Sequence, residues 1–157
     1  MQERFQYSKA YPEAYKAMLA LSQAVEKTAL TPQLIDLVNY RVSQLNSCAF
    51  CLDMHSKDLR ARGETEQRLY MISAWREAPH LYSDRERAAL AWAEAVTRLE
   101  DGQMPDEVYE IARQEFSQAE LVQLTLAVVV INGWNRFNVA FRTPAGNYKS
   151  AIARKAG

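Results

Sequence analysis

Ser117-Gln118-Ala119-Glu120-Leu121-Val122-Gln123-Leu124-Thr125-Leu126-Ala127-Val128-Val129-Val130-Ile131 is the stretch that decides between helix and strand in this chain. Three consecutive valines favour strand on propensity, because a branched Cβ packs well on a pleated surface. Two other signals oppose them. Ser117 and Glu120 have the spacing of a capping box, in which each side chain satisfies a backbone N–H of the first helical turn. The apolar run also continues from Leu121 to about Phe141 before Pro144 stops it, which is too long for a strand. We therefore read a helix. Between Leu124 and Ile131 it is apolar nearly all round, so it belongs in the core or against another subunit.

The same punctuation recurs upstream. Pro12 suits the first position of a helix running to about Lys27, with Tyr15, Met18, Leu19 and Val25 inward. Thr31-Pro32 is an N-cap and first turn for Leu34, Ile35, Val38, Val42 and Leu45. Asn46-Ser47 breaks that pattern and opens a third helix, Cys48 to Arg62, with Gly63 at its C-terminal cap. Thr65 opens a fourth through Leu69, Ile72 and Trp75, stopped before Pro79. Ser83-Asp84-Arg85-Glu86 is another capping box, leading into Ala88 to Leu99. Asp101-Gly102 turns the chain, and Pro105 starts a helix through Val108, Ile111 and Ala112. No pair of alternating runs joined by a hairpin turn occurs, so the fold is expected to be all-α.

The 157 residues suffice for one domain with a hydrophobic core. Lys plus Arg and Asp plus Glu both number 19, which gives no electrostatic reason to expect nucleic acid or an anionic membrane as partner. Met1 to Gln6 is polar with no apolar segment behind it, and Ala127–Ile131 is far too short to span a bilayer. The expected location is the cytoplasm. There, a close cysteine pair points to redox or metal chemistry rather than to a disulfide scaffold.

That pair lies in Cys48-Ala49-Phe50-Cys51-Leu52-Asp53-Met54-His55, which holds both cysteines and one of the two histidines. On a helix, steps of three and four residues put Cys48, Cys51 and His55 on one side. Two thiols at that spacing can close a disulfide, and an imidazole one turn on can take a proton from a thiol. An unperturbed thiol is only roughly 3% thiolate at pH 7. Cys48 at a helix N-terminus and Cys51 near His55 both have a means of raising that fraction. Asp36, with Asn39, Tyr40 and Ser43 on the polar face of the preceding helix, is a candidate to orient His55. Cys, Cys, His and Asp are also acceptable zinc ligands, although structural zinc usually takes a second cysteine pair.

The segment from Asp36 to Lys57 resembles the core of the AhpD-like alkylhydroperoxidases, in the carboxymuconolactone decarboxylase superfamily. Their signature is an acidic residue, eleven residues, then Cys-x-x-Cys-x-x-x-His. Similarity continues in Ser83–Leu99 and in Ile131-Asn132-Gly133-Trp134-Asn135-Arg136. The resemblance implies a single compact domain of six to eight helices over residues 1–157, with its core from about 30 to 143 and a tail from 144. It implies a peroxidatic Cys51, a resolving Cys48, His55 as proton relay and Asp36 as terminal acid. Hydroperoxide would be the substrate, alkyl hydroperoxide or hydrogen peroxide. A thioredoxin-like or dihydrolipoyl dithiol would be the reductant, no bound cofactor would be required, and homotrimers or hexamers would form. Two departures stand out: Asp36 replaces the Glu of well-supported peroxidases, shortening the reach by one methylene, and Phe50 replaces a second histidine found in some members.

Two further readings have different chemistry. One is a non-catalytic disulfide redox sensor or binding protein; the other is decarboxylation, which needs no cysteine pair. Elsewhere, His80 reads as a surface loop residue, and Trp75, Trp92 and Trp134 as core. Asn132, Asn135 and Arg136 read first as a solvated helix end or a subunit contact, with lining of the active-site pocket as the minority reading. Asp53, Lys57 and Arg60 read as an exposed, ion-paired face, and Tyr148–Gly157 as a frayed tail.

Overall fold

The computed structural model describes residues 2–152, and among them every regular element is helical. The α-helices are α1 (Tyr7–Ala10), α2 (Pro12–Glu26), α3 (Pro32–Leu45), α4 (Ala49–Ala61), α5 (Glu66–Met71), α6 (Asp84–Arg98), α7 (Asp106–Glu115) and α8 (Gln118–Phe141). Short 3-10 turns follow α5 and flank α6.

The valine run is helical, as its caps require. Ser117 Oγ accepts from the Glu120 N–H while the Glu120 carboxylate accepts from the Ser117 N–H, and α6 starts with the same reciprocal pair at Ser83 and Glu86. At the start of α3, Thr31 accepts from the Leu34 N–H. Gly63 follows α4 with φ +92°, a conformation glycine adopts without Cβ strain.

The core is built around α3, which packs against α4, α6 and α8. Val38 and Val42 meet Ala89, Ala93, Leu124 and Val128 in the main apolar cluster. The alanines of α6 let its backbone come close, since interaxial distance follows side-chain size. Leu37, on the neighbouring face of α3, joins Leu59, Ile72 and Leu90 in a second cluster. Each fully buried aliphatic side chain is worth about 1.5–3 kcal/mol of transfer free energy. Beside these clusters lies a charged one: Glu94 accepts from Arg41 Nε (2.6 Å), Trp75 Nε1 (3.0 Å) and Arg76 (2.6 Å). It ties α3, α6 and the segment after α5 together.

Some expectations need correction. Leu19 is exposed rather than inward on α2. The helix opened by Thr65 stays α-helical only to Met71 and tightens to 3-10 over Ile72–Ala74, although Leu69, Ile72 and Trp75 are all buried. The short α1 carries no capping signature, so nothing local marks it in the sequence. Nor is the chain after Pro144 free as far as Ser150: Lys57 Nζ donates to the carbonyls of Gly146 and Tyr148, the Tyr148 hydroxyl donates to Asp58, and Ser150 is buried. Arg154 and Lys155 lie outside the described residues. Asp53 pairs with Lys57 at 2.6 Å, whereas Arg60 turns to Glu66 instead. Among the described residues no single helix is long and apolar enough to cross a membrane.

Candidate redox site

The site forms where α3 ends and α4 begins. Ser47 takes a left-handed conformation (φ 53°), and the Cys48 N–H donates to the carbonyl of Ser43, so the chain reverses within two residues. Cys48 becomes the N-cap of α4, with its sulfur accepting from the Cys51 N–H at 3.4 Å. Cys48 and Cys51 are joined as a disulfide, their Cα atoms 5.4 Å apart, inside the range such bridges require. The two residues are 1% and 0% exposed, so a reagent reaches the sulfurs only after neighbouring side chains shift. Among the described residues no group of three or more His, Cys, Asp or Glu is disposed to hold a metal ion.

One turn along α4, His55 is buried and turns Nδ1 toward Asp36 Oδ1 at 3.5 Å. That is within ion-pair range but longer than a hydrogen bond, and neither ring nitrogen has a hydrogen-bond partner among the described residues. Asp36 is held from its other side: Arg62 Nε donates to Oδ2 at 2.8 Å. The structure thus brings all four residues named from the sequence into one region and adds Arg62. Nothing in the sequence marked Arg62, which comes close only because α4 returns along α3.

A polar seam on α8 braces the turn from behind. Asn46 Nδ2 donates to the side-chain carbonyls of Asn132 and Asn135, each at 2.9 Å, and Asn135 Nδ2 donates to Ser43 Oγ at 3.1 Å. Asn135 is 1% exposed, so the expectation of a solvated helix end is overturned: its amide is spent on the turn that carries Cys48. Three residues on, Asn138 Nδ2 donates to Cys51 Sγ at 3.5 Å, and the Tyr7 hydroxyl donates to Asn138 Oδ1 at 3.3 Å. Burial, with a smaller contribution from Tyr15, raises the Tyr7 pKa above its usual value.

Two cavities flank the site. One, of about 400 Å³, is lined by His55, Asp36 and Arg62 together with Val25, Ile35 and Val130. The other, of about 540 Å³, is aromatic, with Tyr7, Tyr15, Phe50 and Asn138 in its wall. Met54 and Trp134 line both. Trp134, read as core, is only partly buried, and its indole donates to Ser22 Oγ at 2.9 Å. Trp75 and Trp92 are core as expected, and His80 is exposed in a 3-10 turn.

Comparison with known proteins adds to this geometry. A model of the carboxymuconolactone decarboxylase family matches residues 12–95. An uncharacterised Bacillus subtilis protein, YdfG, is 37% identical over 147 residues, spanning 94% of this chain and 99% of its own. The Escherichia coli protein YnjA, also uncharacterised, is 32% identical over 120 residues, 76% of this chain and 65% of its own. Among solved structures, Agrobacterium tumefaciens ATU0492 superposes with a TM-score of 0.89 at 42% identity, over 94% of this chain and all (100%) of that one. Its function is described as unknown, with a suggested role as the antioxidant defence protein AhpD. A peroxidase-related protein of Ralstonia eutropha, described as an alkylhydroperoxidase AhpD core, shares the fold at 18% identity and a TM-score of 0.74, over 89% of this chain and 74% of its own.

Proposed function

We propose a function from one premise: this chain belongs to the carboxymuconolactone decarboxylase family, in its AhpD-like group. The activity is that of a thiol-dependent peroxidase. The observation that carries it is the bonded Cys48–Cys51 pair with His55 one turn along the same helix and Asp36 facing its ring.

In the proposed cycle His55 takes the Cys51 proton and Asp36 offsets the resulting imidazolium charge. The thiolate attacks the terminal oxygen of R–O–OH, the O–O bond breaks, and the departing alkoxide takes back a proton as ROH, leaving Cys51–SOH. The Cys48 thiol then attacks the Cys51 sulfur, which expels water and closes the disulfide. An external dithiol restores both thiols by exchange and becomes a disulfide itself. The sum is ROOH plus dithiol giving ROH, water and oxidised dithiol. A thioredoxin-like protein or a dihydrolipoyl group fits the reductant role, and the aromatic cavity suits an apolar R group. We also infer a trimer or a hexamer, with exposed Val122 and Val129 on α8 as a surface to be covered; light scattering tests this.

The closure of both cysteines from the surface favours one competing reading, a slow disulfide switch that does not turn over. Steady-state kinetics with cumene hydroperoxide and dihydrolipoamide separate the two. Repeated turnover, lost in both Cys51→Ser and Cys48→Ser, is the expected result. Consumption of a single equivalent would sink the peroxidase reading and leave the switch.

A further inference from the structure

We propose that Asn138 is a catalytic residue, whose side-chain amide donates a hydrogen bond to the Cys51 thiolate, and that Tyr7 is the positioning residue that keeps the amide turned toward sulfur. The inference rests on the reading of Cys51 as the attacking thiol.

Burial alone works against a thiolate, because a charge removed from water is destabilised. With Cys51 at 0% exposure, its anion needs donors from the protein. The helix N-terminus serves Cys48 first, since the Cys51 N–H already points at the Cys48 sulfur. Asn138 supplies the donor for Cys51. It is itself buried (6% exposed), and Nδ2 lies 3.5 Å from Cys51 Sγ, an ordinary separation for a bond to sulfur.

The amide orientation follows from counting protons. Neither a disulfide sulfur nor a thiolate has a hydrogen to give, so the group facing Cys51 must be the NH2. Oδ1 then faces Tyr7, whose hydroxyl donates at 3.3 Å. Tyr7 is fixed in turn by ring contacts with Tyr15, Phe137 and Phe141. Because its pKa is raised, the phenol keeps its proton through the range in which a thiol titrates. Asn138 also lines the aromatic cavity, so one side chain touches both the sulfur and the wall of the space proposed for the hydroperoxide. It would stay with the sulfur as the sulfenic acid forms.

The test is the pH profile of iodoacetamide alkylation of Cys51, measured in a Cys48→Ser background where it is the only thiol. Asn138→Ala is expected to raise the profile's midpoint by about one pH unit and slow alkylation at pH 7 about tenfold, the loss of one hydrogen bond to a charged acceptor. Asn138→Asp, which sets a carboxylate against the thiolate, should slow it further. Tyr7→Phe keeps the rings packed but frees the amide to turn, and should move the midpoint the same way by a smaller amount. Midpoints equal to the parent's in the folded Asn138 variants would overturn the proposal. If those variants do not fold, an unchanged midpoint in Tyr7→Phe overturns it. Alkylation needs no peroxide. Absence of turnover in the parent therefore defeats the peroxidase reading alone, and a static midpoint in a protein that turns over defeats only the role of Asn138.

Discussion

Glu94 offers a sharp test of how the scaffold under the site is held. It is 2% exposed, and Oε1 accepts from both Arg41 Nε (2.6 Å) and Trp75 Nε1 (3.0 Å), while Oε2 accepts from Arg76 (2.6 Å). The three donors are not equivalent. Arg41 is buried at 8% exposure, whereas the Arg76 side chain is 56% exposed and can turn to water. In Glu94→Leu the Arg41 charge keeps only Gln44 as a partner among the described residues, and losing one member of a buried pair costs about 3–5 kcal/mol. At about 2–4 °C per kcal/mol for a chain of this size, the melting temperature should fall by roughly 6–20 °C. Glu94→Gln is milder: its carbonyl can still serve Arg41 and Trp75, and the loss is charge assistance together with the Arg76 bond, whose acceptor becomes an amide NH2, about 1.5–3 kcal/mol. Burial by itself would raise the Glu94 pKa, but hydrogen bonds from Trp75, Arg76 and Arg41 outweigh it and leave the pKa lowered. A lowered folded-state pKa adds stability above the unfolded value of 4.5 and forfeits it as pH falls through the folded one. Urea unfolding of parent and Glu94→Gln should therefore differ at pH 7 and converge in acid below that value. A difference that persists unchanged from pH 7 to pH 3 would refute the ion-pair account.

Three other outcomes are expected. His55→Ala should slow alkylation of Cys51 at pH 7 severalfold, and Asp36→Asn should do so less, because its 3.5 Å contact with His55 is looser than a hydrogen bond; equal rates in all three proteins would remove both from the relay. Ser117→Ala should cost about 1 kcal/mol in urea unfolding, since it removes the side-chain partner of the Glu120 N–H at the start of α8. Gly133→Ala should be neutral or stabilise by up to about 0.8 kcal/mol from helix propensity. Its new Cβ would meet only the tip of Met18, Cε at 2.8 Å, a flexible group that can turn aside. A loss of more than about 1 kcal/mol would mean that Met18 is locked in place.

Helix termini were legible because they are written in local chemistry. The Ser117/Glu120 and Ser83/Glu86 boxes, Thr31 and Gly63 each satisfy or release backbone groups within four residues of themselves. The positions of Cys48, Cys51 and His55 were legible for the same reason, as steps of three and four along one helix. The partners of those residues were not. Arg62 reaches Asp36 across 26 positions, and Asn138 reaches Cys51 across 87, distances over which periodicity carries no signal. The asparagines of α8 misled because amides near a helix end usually meet water, whereas Asn135 meets Ser43 and Asn46. One clue was available: three asparagines at 132, 135 and 138 share one helical face.

Because Cys48 sulfur doubles as the cap of α4, the backbone itself registers the state of the pair. In the bridged form the covalent link to Cys51 fixes that sulfur over the Cys51 amide, whereas a reduced Cys48 thiol is free to rotate away from it. Each reduction should thus loosen the cap on the first turn of that helix and each oxidation restore it. The nitrogen-15 resonance of that single amide then becomes a built-in gauge of the cycle, readable without dye, label on sulfur or added electrode.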